Sequence, residues 1–261
     1  MAERTQYTPG TFSWTDLTTT DQDGAKAFYM ELFGWEADDQ PVGESMVYSM
    51  MRIDGKSVAA ISPQPQQQRE AGVPPMWNSY ITVRSADEAV ARAGQLGATV
   101  HAPAFDVLDA GRMGVVQDPQ GAYFEVWEPR QNIGAELVNG PGALSWNELA
   151  SPDLDASARF YGDLFGWTTE PLPEAPMPYL IVKNSDGHTN GSMRPVMPPG
   201  SPPFWLVYFG IDDVDEGMVK IAELGGSTVA EPMDIGPGGR IAVAQDPQGA
   251  LFALYAGRFE D

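Results

Sequence analysis

The hexapeptide QDPQGA occupies residues 117–122 and occurs again, letter for letter, at residues 245–250. In the first copy, Asp118-Pro119-Gln120-Gly121 has proline at the second and glycine at the fourth turn position, which is typical of a type I β-turn. The first copy continues into YFEVWEP and the second into LFALYAG, and both continuations are strand-like. The sequence therefore predicts the same hairpin turn at two places in the chain.

The similarity between the two parts of the chain extends well beyond this turn. Residues 12–35 align with residues 144–167, and both stretches have Ser-Trp near the start and Leu-Phe-Gly-Trp at the end. Residues 80–128 align with residues 208–256 without a gap. Such self-similarity indicates a tandem duplication. The predicted boundaries are a first domain at 8–130, a linker at 131–142 and a second domain at 143–261.

Each copy contains a weaker internal repeat. Residues 23–34 (DGAKAFYMELFG) and 87–97 (DEAVARAGQLG) each begin with an acid, carry small or apolar residues at helical spacing, and close with glycine. Glycine takes the left-handed conformation that ends many helices. A strand-like run precedes each helix, and short strand-like runs follow it. The chain is therefore predicted to be α+β, with a β-α-β-β-β unit that occurs four times.

Two proline-rich segments, at residues 62–77 and 194–205, join the units within each copy. They include Trp77 and Trp205 at equivalent places. One interpretation makes these segments linkers. The other makes them lids over a cleft, because long loops are often functional, and it gives the two tryptophans a place in a binding site.

Composition limits the classes of partner. The chain has 261 residues, no cysteine and a formal net charge of −21. The acidic balance argues against nucleic acid and anionic membranes as partners. One interpretation is that it attracts cationic small molecules, and the other is that it serves only solubility. There is no long apolar run, and the start MAERTQYTPG does not look like a signal peptide, so we expect a cytoplasmic protein. The absence of cysteine excludes disulfides, thiolate nucleophiles and sulfur-ligated metals.

The segments DQDGAKAFYMELFGW (21–35), DLDASARFYGDLFGW (153–167) and DPQGAYFE (118–125) resemble motifs of the vicinal oxygen chelate superfamily. That superfamily includes glyoxalase I, extradiol dioxygenases, fosfomycin-resistance enzymes and bleomycin-resistance proteins. The resemblance covers nearly the whole chain and is strongest to two-domain glyoxalase-like proteins of actinobacteria. It implies tandem domains in which paired β-α-β-β-β units form cupped sheets, mixed or antiparallel, that hold the site.

In metal-dependent members, ligands project into the cup from equivalent strands. The resemblance places those positions in this chain at Trp14 and Trp146, Asn78 and Leu206, Glu125 and Ala253, and near 58–61 and 190–193. The two histidines of the chain, His101 and His188, fall in turn-rich segments away from these positions.

Transition-metal sites of this kind combine imidazoles with carboxylates. The sequence therefore predicts that the two-histidine glyoxalase or dioxygenase site is absent, and we expect no metal and no other cofactor. A weak oxygen-rich site for a divalent metal, made of Asp16, Glu148, Glu125 and waters, remains a variant.

An acid follows each of the two equivalent tryptophans, as Asp16 after Trp14 and as Glu148 after Trp146. Alternation along a strand puts each tryptophan and its acid on one face. We expect an aromatic wall beside a carboxylate in each cup. If cups are completed across domains, one of them is more polar than the other and contains Trp146, Asn147, Glu148, Asn78 and Glu125.

Arg112 and Arg240 are the other repeated charged residues, each in a Gly-Arg pair just before a strand. A cavity-facing arginine binds a carboxylate or enolate by its fork geometry. A surface ion pair is the equally weighted alternative.

Three functions follow from these patterns. The first is a metal-free protein that binds a small cationic or aromatic molecule, like the bleomycin-resistance branch. The second is a lyase, isomerase or hydroxylase-type enzyme that uses Glu148 or Glu125 as general base and Arg112 to stabilise an enolate. The third is an interaction protein, which nothing in the sequence specifically favours. Two fused copies supply within one chain the pairing that single-copy relatives obtain by dimerising, which favours a monomer.

Overall fold

A computed structural model of the chain describes residues 1–43, 46–236 and 239–259. Its helices are α1 (Gln22–Phe33), α2 (Gln66–Glu70), α3 (Ala86–Gln95), α4 (Leu154–Phe165) and α5 (Val214–Glu223). The strands of the first copy are β2 (Phe12–Thr19), β3 (Glu36–Val42), β4 (Met46–Ile53), β5 (Lys56–Pro63), β6 (Met76–Thr82), β7 (Thr99–Val107), β8 (Gly111–Gln117) and β9 (Tyr123–Pro129).

The second copy repeats this order. Its strands are β11 (Leu144–Ser151), β12 (Thr168–Pro171), β13 (Leu180–Lys183), β14 (Thr189–Pro195), β15 (Phe204–Gly210), β16 (Ser227–Asp234), β17 (Arg240–Gln245) and β18 (Leu251–Ala256). Two short strands, β1 (Ala2–Glu3) and β10 (Leu137–Val138), lie outside the repeated pattern. The prediction of an α+β fold with four β-α-β-β-β units is confirmed.

Each copy forms its own curled, mixed sheet. The strand order is β3-β4-β5-β2-β6-β9-β8-β7 in the first sheet and β12-β13-β14-β11-β15-β18-β17-β16 in the second. The opening strands of the two units in each copy pair antiparallel, as β2 with β6 and β11 with β15. Strand β10 pairs with β1 and with β11, so it ties the start of the chain to the second sheet.

Helices α1, α3, α4 and α5 lie between the two sheets, where the copies share two apolar cores, whereas the short α2 is exposed. Helix α1 of the first copy and α5 of the second contribute to one core, which also contains Phe209 and Phe252. Helices α3 and α4 contribute to the other core, together with Phe124 and Trp205. Each core therefore takes one unit from each copy, and neither copy completes a core alone. No helix among the described residues is long and apolar enough to cross a membrane.

The QDPQGA turns hold these shared cores together. In the first turn, Asp118 Oδ1 accepts hydrogen bonds from the backbone N–H groups of the turn at 2.7–2.9 Å. Its Oδ2 accepts one from the Tyr161 hydroxyl of the other copy at 2.8 Å, and Trp205 Nε1 donates to that hydroxyl. The hexapeptide is thus both a turn and a contact between the copies, which is a role the turn pattern alone does not show.

The second turn makes the reciprocal contact. Asp246 accepts from backbone N–H groups of its own turn and, at 3.0 Å, from the Tyr29 hydroxyl of the first copy. Trp77 Nε1 donates to Tyr29 at 2.9 Å. Buried polar groups need such partners, so the two Trp–Tyr–Asp chains fix how the copies face each other.

Candidate ligand-binding cups

Strand alternation divides the residues of each sheet between a helix-covered face and a helix-free face. In β2, Leu17 packs in a core between the sheets, whereas Trp14 packs in a cluster on the other face. The helix-free face of the first sheet is here called the N-terminal cup and is lined by Trp14, Asp16, Tyr48, Asn78, Tyr80, Glu125 and Trp127. The helix-free face of the second sheet is the C-terminal cup, lined by Trp146, Glu148, Tyr179, Ser192, Arg194, Leu206, Tyr208, Ala253 and Tyr255.

Asp16 is the fully hydrogen-bonded acid of the N-terminal cup. Its Oδ1 accepts from Asn78 Nδ2 at 2.8 Å, and its Oδ2 accepts from the Tyr48 and Tyr80 hydroxyls at 2.9 Å each. Asn78 lies opposite Asp16 across the β2–β6 pair, which explains the contact. Burial raises the pKa of Asp16, while the three donors act in the opposite direction because they favour its charged form.

Glu125 is the second acid of the N-terminal cup, and it projects from β9 beside Tyr80, its register partner on β6. It is 6% exposed, and its Oε2 is buried without a hydrogen-bond partner among the described residues. Burial, together with the negative charge of Asp16, raises the pKa of Glu125 well above the usual range. Asp16 thus has three donors that favour its charged form, whereas Glu125 Oε2 has none among the described residues.

Two segments of the chain cover the N-terminal cup. Ala2 and Tyr7 come from the start of the chain, Ala135 and Val138 come from the stretch between the copies, and all four pack against its aromatic cluster. The Tyr7 hydroxyl donates to the Ala135 carbonyl at 2.6 Å, which joins the two segments. As a result Trp14 is only 5% exposed.

Glu148 is the central acid of the C-terminal cup and has a cationic partner. Its Oε1 accepts from Arg194 Nε at 2.5 Å and from the Tyr208 hydroxyl at 3.1 Å. Its Oε2 accepts from the Tyr179 hydroxyl at 2.8 Å. Burial and the charge of Glu148 raise the pKa values of both tyrosines, so both keep the protons that they donate.

The wall of the C-terminal cup is apolar and partly open. Trp146, Phe204, Ile241, Val243 and Tyr255 are half-buried, and they pack around buried Leu206 and Ala253. Trp146 is anchored by its Nε1, which donates to Ser192 Oγ at 2.8 Å. The C-terminal cup thus presents aromatic surface to solvent above a buried ion pair.

The donor sets of the two cups do not fit the metal site of the family. Among the residues that the structure describes, no three His, Asp or Glu side chains are grouped so that they could hold a metal ion. In the N-terminal cup both oxygens of Asp16 are taken by donors. In the C-terminal cup, Leu206 and Ala253 stand at two of the ligand positions, and neither has a ligand atom. No step of the chemistry below uses a metal.

The single polar cavity expected across the domains does not form, and this prediction is wrong. Asn78 and Glu125 line the N-terminal cup, whereas Trp146 and Glu148 line the C-terminal cup. Asn147 lies on the opposite face of β11, where its Oδ1 accepts from Ser79 Oγ of the other sheet at 2.7 Å. The reason is that each sheet is built from one copy, so each cup is completed within a copy.

The expected binding roles of Trp77 and Trp205 are also wrong. Both are buried in the cores between the sheets, where they donate to Tyr29 and Tyr161. They begin strands β6 and β15 on the helix-covered face, so neither lies in a lid over a cup. Of the two interpretations of segments 62–77 and 194–205, this contact favours linkers.

Arg112 and Arg240 form surface ion pairs and do not line a cup. Arg112 Nε donates to Asp87 at 2.7 Å and its Nη1 to Asp106 at 2.9 Å. Arg240 repeats both contacts in the second copy, with Asp215 and Asp234. The assignment of Arg112 to enolate stabilisation is therefore wrong, and the surface ion pair is the correct alternative for both arginines.

Arg194, Tyr179 and Tyr80 are not predicted from the sequence, and Tyr48 and Tyr208 are expected from it only as further aromatic surface, not as donors to the acids. Arg194, Tyr179 and Tyr208 surround Glu148, and Tyr48 and Tyr80 surround Asp16. Alternation does place Tyr80 and Tyr208 on the cup face, two residues after Asn78 and Leu206. Arg194 lies in a proline-rich stretch, and no local pattern indicates that it reaches Glu148. His101 and His188 are exposed, but His101 lies within strand β7 and not in the turn-rich segment predicted from the sequence.

Comparison with known proteins agrees with this architecture. The profile of the Glyoxalase/Bleomycin resistance protein/Dioxygenase superfamily matches residues 11–126 and 143–254. The chain is 46% identical over 256 residues to "Putative glyoxylase CFP32" of Mycobacterium tuberculosis, with 97% of each chain covered. It is 32% identical to "Anthracycline biosynthesis protein DauV" of Streptomyces sp. (strain C5), with 96% of this chain and 94% of that protein covered.

Solved structures share the fold at much lower identity. The Mn(II)-bound glyoxalase from Novosphingobium aromaticivorans superposes with a TM-score of 0.66 at 18% identity and covers 95% of this chain and 82% of its own. The 2,3-dioxygenase LapB from Pseudomonas sp. KL28 has a TM-score of 0.66 at 14% identity, with 98% and 95% covered.

Proposed function

The chain belongs to the glyoxalase, bleomycin resistance protein and dioxygenase superfamily, and we propose that it binds a flat aromatic small molecule in its C-terminal cup. The observation that carries the proposal is the partly exposed ring of aromatic and aliphatic side chains around Leu206. Apolar surface that stays accessible beside a few convergent polar groups is the usual composition of a small-molecule site.

The polar floor of the C-terminal cup supports the same function. Glu148, Arg194 and Tyr179 lie together under the apolar wall, and their hydrogen bonds hold them in place without a ligand. A ligand that stacks on Trp146 or Tyr255 can direct a hydroxyl or carbonyl group toward Tyr179 and the guanidinium. The wall then provides affinity through burial of apolar area, and the floor sets orientation.

The names of two relatives point to a class of ligand. DauV and DnrV, both about one third identical to this chain over nearly its whole length, are named as anthracycline biosynthesis proteins. Anthracyclines are flat, fused aromatic molecules that carry hydroxyl and carbonyl groups, and many bear an amino sugar. We therefore propose polycyclic aromatic compounds of this kind as the ligand class.

The test is a titration with doxorubicin, followed both by its own fluorescence and by tryptophan emission. We expect saturable binding with one molecule per chain. Trp146→Ala removes the stacking surface and is expected to weaken binding at least tenfold. His101→Ala, which changes an exposed ring of the first sheet, is the matched control and should bind as the unchanged protein does.

Two outcomes decide the proposal. Equal affinity of the unchanged protein, Trp146→Ala and Glu148→Ala for doxorubicin means that the C-terminal cup is not the site. Recovery of the ligand chemically unchanged supports binding, whereas a new product assigns the cup to catalysis.

Acid–base catalysis at the same floor is the second candidate, and the position of the Tyr179 hydroxyl favours it. This hydroxyl donates to Glu148 and belongs to a half-buried residue, so it links a carboxylate base to the open side of the cup. The reaction class is that of a lyase or isomerase. Turnover of the hemithioacetal of methylglyoxal, lost in Glu148→Gln, is the measurement that tests it.

We also propose that the chain works as a monomer. Both cores between the sheets are completed by the two copies of one chain, as a dimer of single copies would complete them. Light scattering at micromolar concentration tests this proposal, and a mass of two chains contradicts it.

A further inference from the structure

We propose that the N-terminal cup is a second binding site, which takes a small organic ammonium group between Glu125, Asp16 and the surrounding aromatic rings. This site is separate from the C-terminal cup and does not depend on the function proposed there. The proposal begins from the unpartnered Oε2 of Glu125, which is buried in the cup beside a second acid.

Glu125 is an unusual residue for a closed apolar cluster. A buried polar atom without a partner destabilises the folded protein, so such atoms are rare and call for an explanation. Glu125 lies on β9 opposite Tyr80, on the same face of the sheet as Asp16, whose charge contributes to the raised pKa of Glu125. A ligand that donates a hydrogen bond to Oε2 gives this buried atom the partner that the described residues do not supply.

The charge of the N-terminal cup indicates that the ligand is a cation. The hydrogen-bond donors to Asp16 are Asn78, Tyr48 and Tyr80, which are all neutral. Two acids thus face each other with no arginine or lysine among these donors. A bound cation balances the negative charge of these carboxylates.

The C-terminal cup shows what this cation replaces. There, Arg194 lies opposite Ala150 in the β11–β14 pair and donates to Glu148. The equivalent position in the first sheet, opposite Thr18 in the β2–β5 pair, is Ser62. The second copy supplies a cation from its own chain, and the first copy has a short hydroxyl there. An ammonium group of the ligand fills the role of the guanidinium.

The aromatic side chains of the N-terminal cup suit an organic cation. Trp14 and Tyr48 are linked by a hydrogen bond of 3.0 Å, and the rings of Tyr80 and Trp127 lie edge to face with centroids 6.5 Å apart. Aromatic faces attract ammonium groups through their quadrupoles, most strongly where water is excluded. A carbon-bearing ammonium uses both the carboxylates and these rings, whereas a bare metal ion uses the carboxylates alone.

Three residues at the edge of this cup are less buried than those at its centre. Tyr48, Asn78 and Met113 are half-buried, unlike the deeper Trp14 and Glu125. The segments that carry Tyr7 and Ala135 cover the remainder and are joined by one hydrogen bond. Binding therefore requires a small ligand or a shift of these segments.

The test compares benzylammonium with its neutral analogue benzyl alcohol at pH 8, by calorimetric titration. We expect benzyl alcohol to bind at least tenfold more weakly than benzylammonium. Glu125→Gln keeps the shape of the side chain and is expected to lose at least tenfold in affinity for benzylammonium. Glu88→Gln removes an exposed acid of α3 and should leave that affinity unchanged.

Several results overturn the proposal. They are equal binding of benzylammonium and benzyl alcohol, undiminished benzylammonium binding by Glu125→Gln, and no binding of benzylammonium by the unchanged protein. Tight binding of Mn²⁺ or Ca²⁺ that Glu125→Gln abolishes, without any binding of benzylammonium, assigns the acids to a metal instead. None of these results depends on doxorubicin, so the function proposed for the C-terminal cup stands or falls by its own titration.

Discussion

The two cups occupy equivalent places in a duplicated fold, but they stabilise a buried carboxylate with different partners. In the N-terminal cup, Asp16 is held by neutral donors, a second acid lies beside it, and two segments of the chain cover both. In the C-terminal cup, Glu148 is held by Arg194, the second acid is replaced by Ala253, and the apolar wall stays partly open. One fold thus carries one closed acidic site and one open neutral site.

The difference shows which parts of a repeated fold are free to change. The turns, helix caps and cores between the sheets match in both copies, since Asp21 and Asp153 cap α1 and α4 and Gly34 and Gly166 end them in the left-handed conformation. The cup faces diverge because they pack only locally. Substitutions there change ligand chemistry without disturbing the contact between the copies.

The largest expected effect is the loss of the ion pair in the C-terminal cup. Arg194→Met leaves the buried Glu148 charge without its cation, and we expect a loss of about 3 kcal/mol in the free energy of unfolding. Combining Arg194→Met with Glu148→Gln removes the charge too and should recover most of this loss. Urea denaturation at pH 7 measures the stability of the single and the double variant. A loss below about 1 kcal/mol in Arg194→Met contradicts a stabilising ion pair between Arg194 and Glu148.

The second effect is the pH dependence that Glu125 introduces in the N-terminal cup. Its pKa is raised in the folded state, so the folded protein keeps a proton that the unfolded chain has released. The stability from this proton is complete below the ordinary glutamate pKa and is lost as the pH rises toward the folded value. Stability of the unchanged protein should fall relative to Glu125→Gln by up to about 1.4 kcal/mol per pH unit.

Denaturation curves of both proteins between pH 5 and pH 8 measure this difference. Ala253→Gly, at the matching position of the C-terminal cup, is the control. It changes no titratable group, so its stability should depend on pH as that of the unchanged protein does. A constant difference between Glu125→Gln and the unchanged protein over this range contradicts the assignment of the proton to Glu125.

The third effect compares one tyrosine hydroxyl in each cup. Tyr48→Phe removes a donor to Asp16 and the acceptor of Trp14 Nε1, and it should cost about 2 kcal/mol, as hydrogen bonds to charged groups do. Tyr179→Phe should cost less than 1 kcal/mol, because Glu148 keeps Arg194 and Tyr208. Thermal denaturation of both variants shows which substitution destabilises the protein more. A larger loss of stability in Tyr179→Phe than in Tyr48→Phe means that Arg194 does not stabilise Glu148.

The smallest effect concerns the repeated arginines outside the cups. Arg112→Met and Arg240→Met each break exposed ion pairs, so we expect little or no change in stability from either. Neither substitution should change doxorubicin or benzylammonium affinity. A tenfold loss of affinity in either variant returns that arginine to a binding role.

Much of the fold was predictable because its signals are local or repeated. The duplicated hexapeptide, the helix spacing and the closing glycines predict four units in two copies, as the structure shows. Alternation also places Trp14 beside Asp16 and Trp146 beside Glu148 on the helix-free faces. What repetition cannot reveal is which units share a sheet, and for that reason Glu125 was expected beside Glu148 instead of Asp16.

The partners of the buried acids were harder to predict for a physical reason. Tyr48 lies on β4 and Tyr179 just before β13, so they are 32 and 31 residues away in sequence from Asp16 and Glu148. Arg194 reaches Glu148 through the parallel β11–β14 pair. The alignment of the two copies also hides equivalent residues where the copies have diverged. Ser62 of the first copy and Arg194 of the second occupy equivalent positions, which only the pairing register of the strands shows.

The reciprocal Trp–Tyr–Asp chains have a consequence for the history of the molecule. Each copy provides the aspartate for the tyrosine of the other, which is the arrangement of a two-fold symmetric homodimer. A single ancestral gene of this kind had to keep both its cups identical, since every substitution appeared in both subunits. Fusion ends that constraint, because a substitution in one half of the chain then changes one cup and leaves the other as it is.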